Sequence, residues 1–240
     1  MKSLKLNAAI LFLAVAVIPA KAAISLDRTR AIYNGGEKSL TLNISNENKQ
    51  LPFLAQSWLE NEKMEKIITG PLVVTPPVQR VEPASKSLIR VSTTPEVNKL
   101  PQDRESLFYF NLREIPPKSD KPNVLQIALQ TKIKLFYRPE SIKTKPDEVW
   151  QNKIVLHKEK GHYRIENPTP YYVTIVGFAG SKNDLSKANF DSIMIAPKST
   201  EKIKSVSYST PWMTYINDYG GRVNIAFQCD GMKCTARKDS

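Results

Sequence analysis

The sequence predicts an all-β protein of two β-sandwich domains, the first of them immunoglobulin-like. Three observations carry this. Short segments of alternating apolar and polar residues recur with turn signals between them. No long segment repeats with the helical period. About seven such segments fit before Pro139, enough for one immunoglobulin-like sandwich, and a second set follows a polar connector.

The first strand is expected over Ile24–Tyr33, whose alternation holds to Arg30. Asn34-Gly35-Gly36 then supplies the positive φ of a tight turn. Leu40–Ser45 alternates cleanly, and Asn46–Lys49 is a loop. Phe53–Leu59 is the next strand, with Trp58 as a core or inter-sheet anchor. Ile67–Val74 is interrupted by Gly70-Pro71, and Thr75-Pro76-Pro77 demands irregular backbone and is a place for a cis bond. Ser87–Val91 and the aromatic-rich Ser106–Leu112 are strands.

Asn123–Arg138 is expected to be one long strand. It contains no glycine or proline, and Leu125, Ile127, Leu129, Ile133 and Leu135 share one parity. Gln126, Gln130, Lys132 and Lys134 share the other. Two readings fit this pattern. The apolar row is buried in the sandwich, or part of it is left bare for another protein; parity says which residues share a face, not which face is wet.

Arg138–Asp147, with Pro139, Lys143, Lys145 and Pro146, is a stiff polar connector, and the domains divide there into 23–142 and 143–240. In the second half, strands are expected over Lys153–Leu156, Tyr163–Asn167, Tyr171–Phe178, Asp191–Ala196, Thr200–Val206, Trp212–Ile216 and Arg222–Cys229.

Residues 1–22 form an export signal rather than part of the fold. Lys2 and Lys5 make the basic start, Ala8–Ile18 is apolar but too short to span a bilayer, and Ala20-Lys21-Ala22 suits a signal peptidase. The net charge of +12 falls by the three lysines of this segment to +9. The lysines are scattered, so solubility and attraction to acidic partners follow, not nucleic-acid binding. No later stretch suits a transmembrane helix. In an exported chain Cys229 and Cys234 are expected to pair, pinning the last hairpin.

Nothing points to catalysis. There is no Gly-x-Ser-x-Gly elbow, no His-Glu-x-x-His and no phosphate-binding glycine loop. Two thiols with distant His157 and His162 do not make a zinc pattern, and those histidines are expected in exposed loops beside a turn. No metal, cofactor or catalytic residue is expected.

Leu100-Pro101-Gln102-Asp103-Arg104-Glu105-Ser106-Leu107-Phe108-Tyr109-Phe110-Asn111-Leu112-Arg113-Glu114-Ile115-Pro116 resembles a signature of the periplasmic pilus chaperones. Ser25–Arg30, Gln130–Pro139 and Tyr215–Gly221 match that family as well, so the resemblance spans the expected mature chain. It implies two immunoglobulin-like domains set as a boomerang around a cleft. It implies a chaperone that lends its own strand to pilus subunits lacking their last one, then passes them to an outer-membrane usher. By position, Arg30 and Lys134 correspond to the cleft residues that hold the subunit's C-terminal carboxylate. Leu125, Ile127 and Leu129 correspond to the row that enters the subunit's groove. Glu105, Arg138 and Asp218 correspond to a charged cluster that fixes the interdomain angle.

The physics of this scheme is coherent. An incomplete sandwich exposes a groove and two strand edges, which a donated strand covers. A carboxylate anchor sets register, because a slip of one residue turns the wrong face inward. Lys134 and Leu125 differ in parity, so a twist or bulge must intervene if both belong to one track. The bare row also implies self-association when no subunit is present. A two-domain adhesin or structural pilus component is the alternative. A secreted hydrolase is a third, and it lacks residues to do the work.

Overall fold

The computed structural model describes residues 22–145, 148–187 and 189–237. The expected export signal lies outside them except for Ala22. The strands of the first half are β1 (Ile24–Leu26), β2 (Arg30–Asn34), β3 (Leu40–Asn46), β4 (Phe53–Glu60), β5 (Leu72–Thr75), β6 (Val78–Val81), β7 (Lys86–Thr93), β8 (Ser106–Ile115) and β9 (Gln130–Arg138). Those of the second half are β10 (Val155–Glu159), β11 (His162–Asn167), β12 (Val173–Ala179), β13 (Ile193–Ile195), β14 (Ser199–Lys204), β15 (Trp212–Ile216), β16 (Arg222–Asp230) and β17 (Lys233–Ala236). Helix among the described residues is confined to short 3-10 turns.

The first half is a sandwich of a four-stranded sheet, β1-β3-β7-β5, on a five-stranded one, β2-β9-β8-β4-β6. Alternation explains the facing residues. Leu40, Leu42 and Ile44 of β3 point inward between exposed Thr41 and Asn43. They meet Phe53, Ala55 and Leu59 of β4 and Ile133 and Leu135 of β9 in one core. The strand expected over Ile24–Tyr33 is broken at Asp27–Thr29, and its halves join different sheets. β2 runs parallel to β9, placing Arg30 opposite Lys134. The Thr75–Pro76 bond is cis. β6, in the segment after the prolines, was not among the expected strands.

The second half folds one eight-stranded sheet on itself. β16 makes the corner: Arg222–Ala226 pairs with β15, and Phe227–Asp230 pairs with β17. Its core holds Trp150, Ile154, Leu156, Tyr163, Ile175 and Phe227. Cys229 and Cys234 are disulfide-bonded across the β16–β17 hairpin. His157 and His162 are corrected from exposed loop positions. Both sit half-buried on strands, His157 Nε2 2.7 Å from Glu166 and His162 beside Glu159.

The two sandwiches share a small apolar cluster of Leu107, Phe136 and Tyr172. The Glu105 N–H donates to the Pro170 carbonyl at 2.9 Å, and the Tyr171 hydroxyl donates to the Ile142 carbonyl at 2.7 Å.

The expected long strand over Asn123–Arg138 is also corrected. The ladder begins only at Gln130, opposite Arg113. Residues 124–129 belong to no strand and lie outside the sheet. Leu129 offers its carbonyl to the Glu114 N–H, and no backbone hydrogen bond involves 124–128 among the described residues. One parity row thus has two fates: Ile133 and Leu135 are core, while Leu125, Ile127 and Leu129 are 85, 66 and 41% exposed. The reason is coverage: before Gln130 the chain is outside the ladder with β8, and no strand pairs with it among the described residues.

Candidate functional site

Arg30 and Lys134 come together because β2 and β9 are parallel neighbours with these two residues in register. Both side chains enter the seam between the sandwiches. Arg30 is only 7% exposed. Its Nη1 donates to the carbonyls of Ile216 at 2.8 Å and Asn217 at 3.1 Å, and its Nη2 donates to Thr174 Oγ1 at 2.9 Å. Its guanidinium also lies 5.3 Å from the centroid of the Phe136 ring.

Lys134 is half-buried and has no hydrogen-bond or ion-pair partner among the described residues. Burial holds its ammonium below the ordinary lysine range, and the Arg30 charge pushes it further down. Two cations that repel each other beside an open cleft make a site for an anion. The cleft holds about 470 Å³ and is lined by Thr29, Arg30, Tyr109, Lys132, Lys134 and Thr174. A separate pocket of about 570 Å³, also lined by Arg30, is bordered by Lys143, Asp218 and Tyr219.

The row of Leu125, Ile127 and Leu129 approaches the same sheet from its far end. β2 covers β9 only from Lys134 to Arg138, so among the described residues the β9 edge over Gln130–Ile133 has no strand on that side. The pairing of β8 with β9 shows no register shift, so no bulge brings Lys134 onto the face of the leucines. Within β9 the parity difference holds: Lys134 lines the cleft, while Ile133 and Leu135 are buried in the core.

Glu105, Arg138 and Asp218, distant in sequence, meet at the seam. Arg138 is the largest fully buried side chain among the described residues. Its Nε donates to Glu105 Oε1 at 2.9 Å, and its Nη1 donates to Asp218 Oδ2 at 2.8 Å and Thr144 Oγ1 at 2.9 Å. Nη2 is 2.7 Å from Glu105 Oε1 but lacks the geometry for a further hydrogen bond. The remaining Glu105 oxygen accepts the Tyr172 N–H at 2.7 Å. The Tyr171 ring lies 4.7 Å from the guanidinium. Burial pushes the Glu105 carboxyl up, to about 7, against the pull of Arg138 and the Tyr172 N–H. Glu105 lies immediately before β8 and Arg138 ends β9, both in the first sandwich, and the turn after β15 supplies Asp218.

Thr174, the carbonyls of Ile216 and Asn217, Thr144 and the Tyr171-Tyr172 pair did not emerge from the sequence. Backbone carbonyls leave no signature there, and Pro168-Thr169-Pro170 before the tyrosines marked only irregular backbone. No group of metal-ligating side chains is found among the described residues, and no described helix is long and apolar enough to cross a membrane.

The profile described as "Pili and flagellar-assembly chaperone, PapD N-terminal domain" matches residues 23–143, and "Pili assembly chaperone PapD, C-terminal domain" matches 149–227. The chain is 63% identical over 220 residues to "Chaperone protein PapD" of Escherichia coli, covering 92% of each chain. The crystal structure of the E. coli chaperone DraB superposes with a TM-score of 0.69 at 27% identity, over 87% of this chain and 97% of that one. The SafB chaperone of Salmonella enterica, solved in complex with SafA pilin, gives a TM-score of 0.71 at 23% identity, over 88% and 99%.

Proposed function

Because the chain belongs to the PapD-type family of pilus-assembly chaperones, we propose that in the periplasm it captures pilus subunits with residues 124–133 and holds their C-terminal carboxylate on Arg30 and Lys134. The single observation that carries this is the row of Leu125, Ile127 and Leu129. It is exposed and, among the described residues, has no strand partner and continues a strand whose adjoining edge is open.

A subunit that lacks its last strand presents a groove and two unpaired edges. Backbone groups of 124–133 satisfy an edge, and every second side chain fills the groove. Each of the three side chains contributes about 1.5–3 kcal/mol when fully buried. The carboxylate neutralises the repulsion between Arg30 and Lys134 and fixes the register through charge-assisted hydrogen bonds. Glu105, Arg138 and Asp218 hold the sandwiches at the angle that keeps both cations in one cleft. The bound subunit then passes to an outer-membrane usher. The adhesin alternative is not favoured, since both halves of the chain match chaperone domains.

The test is capture from denaturant. A pilus subunit unfolded in urea is diluted into buffer with the protein, and soluble one-to-one complex is measured by size exclusion. Wild type yields complex, and Arg30→Ala and Lys134→Ala each lose most of it. Full yield with both variants would remove the anchor, and no yield with any subunit would remove the function.

A further inference from the structure

We infer that the second sandwich is a working part of the carboxylate anchor, with Thr174 a positioning residue that aims Arg30. The inference rests on the reading of Arg30 and Lys134 as that anchor. Arg30 belongs to the first sandwich, yet its three side-chain hydrogen bonds among the described residues go to the second, to Ile216 O, Asn217 O and Thr174 Oγ1. The three acceptors form one cradle: Thr174 on β12 and Ile216 on β15 are direct cross-strand partners, and Asn217 follows. Thr174 is 6% exposed and presents its hydroxyl to the guanidinium in a site that excludes most water.

Counting donors shows what the cradle leaves for a ligand. A guanidinium has five N–H groups. Nη1 donates to the two carbonyls and Nη2 to Thr174, while Nε–H has no acceptor among the described residues and Nη2 carries a second hydrogen. Nε and Nη2 share the edge that pairs with a carboxylate in a two-pronged fit. The cradle therefore engages Nη1 fully and Nη2 once, and leaves Nε–H for a carboxylate. An arginine otherwise has many rotamers, and holding one in advance spares the ligand that ordering.

The cradle is built into the interdomain lock. Asp218, which binds Arg138, directly follows the two carbonyls that bind Arg30. The turn beyond them is closed on itself. Asn217 Oδ1 accepts the N–H groups of Tyr219 and Gly221 at 3.1 and 2.8 Å. Gly220 has φ +83°, and a Cβ there would collide with Thr29 Oγ1, beside Arg30. The interdomain angle and the aim of Arg30 are thus set by the same few residues.

The test uses a peptide matching the last strand of a pilus subunit, made with a free C-terminal carboxylate and as the C-terminal amide, and titrated calorimetrically into the protein. Wild type is expected to bind the acid at least tenfold more tightly than the amide. Thr174→Val, which keeps the shape and removes the hydroxyl, is expected to weaken the acid about tenfold and leave the amide unchanged. Thr174→Ser restores the difference. Equal weakening of acid and amide would mark Thr174 as merely structural and overturn the inference, as would unchanged acid binding by the valine variant. No preference of wild type for the acid would remove the underlying anchor instead. A measurement on the unaltered protein guards against misfolding of the variant. Nitrogen-15 relaxation of the Arg30 Nε–H should show an ordered side chain before any ligand is added, and a disordered one would overturn the cradle.

Discussion

Truncating Leu125, Ile127 and Leu129 one at a time to alanine separates subunit capture from the stability of the free protein. The magnitudes follow from exposure. Full burial of such a side chain contributes about 1.5–3 kcal/mol. Leu125 is 85% exposed, Ile127 66% and Leu129 41%, so those fractions remain to be gained on docking. Losses of subunit affinity are therefore about 1.3–2.6, 1–2 and 0.6–1.2 kcal/mol in that order. The first is roughly a tenfold to eightyfold weakening. The free protein changes by no more than about 0.5 kcal/mol, because exposed side chains have little to lose. Leu135→Ala is the control. It belongs to the same parity row but is fully buried, and its loss costs the fold about 2–5 kcal/mol. Subunit affinity is measured by displacement of a fluorescent last-strand peptide, and stability by urea denaturation. Destabilisation of the free protein by Leu125→Ala as large as that of Leu135→Ala would refute the reasoning, as would an inverted order of affinity losses.

Three further predictions follow from the seam and the bare row. Arg138→Met leaves Glu105 buried without its cation and lowers stability by about 3–5 kcal/mol; urea denaturation reads this, and a loss below 1 kcal/mol would show the lock to be unimportant. The Glu105 carboxyl is raised from 4.5 to about 7, so between those values the folded state retains a proton that the unfolded state releases. Its contribution therefore falls as pH rises from about 4.5 to 7, by up to about 3 kcal/mol, and is flat above. The stability difference between wild type and Glu105→Gln, measured at pH 5 and pH 8, should move in that direction, and an opposite drift contradicts the assignment. Finally, the exposed Leu125 and Ile127 promote association of client-free protein at high concentration, and Leu125→Ser reduces it; sedimentation as a concentration-independent monomer would dismiss this.

Much of the sandwich was legible because alternation is a local property. Leu40, Leu42 and Ile44 announce a half-buried strand within six residues, and the structure buries all three. Alternation could not separate Leu129 from Ile133, since both have the same parity and only the presence of an opposing sheet decides their fate. β6 was missed because four residues after a proline pair carry little pattern. The meeting of Glu105, Arg138 and Asp218 was accessible only through family resemblance, since 80 residues separate the last two. The burial of Arg30 was hidden for a related reason: its acceptors are backbone carbonyls 186 and 187 residues away, which no side-chain pattern reports.

The central claim is that residues 124–133 form a strand for another protein. Amide hydrogen exchange along this segment, alone and in a one-to-one complex with a pilus subunit, tests it most directly. In the free protein the N–H groups of 124–128 have no backbone acceptor among the described residues, so they should exchange at nearly unfolded rates. In the complex they should be protected, together with the open edge at Gln130–Ile133. A complex that forms while 124–129 exchanges as fast as before would show that the subunit is held elsewhere, and the donated strand would have to be abandoned.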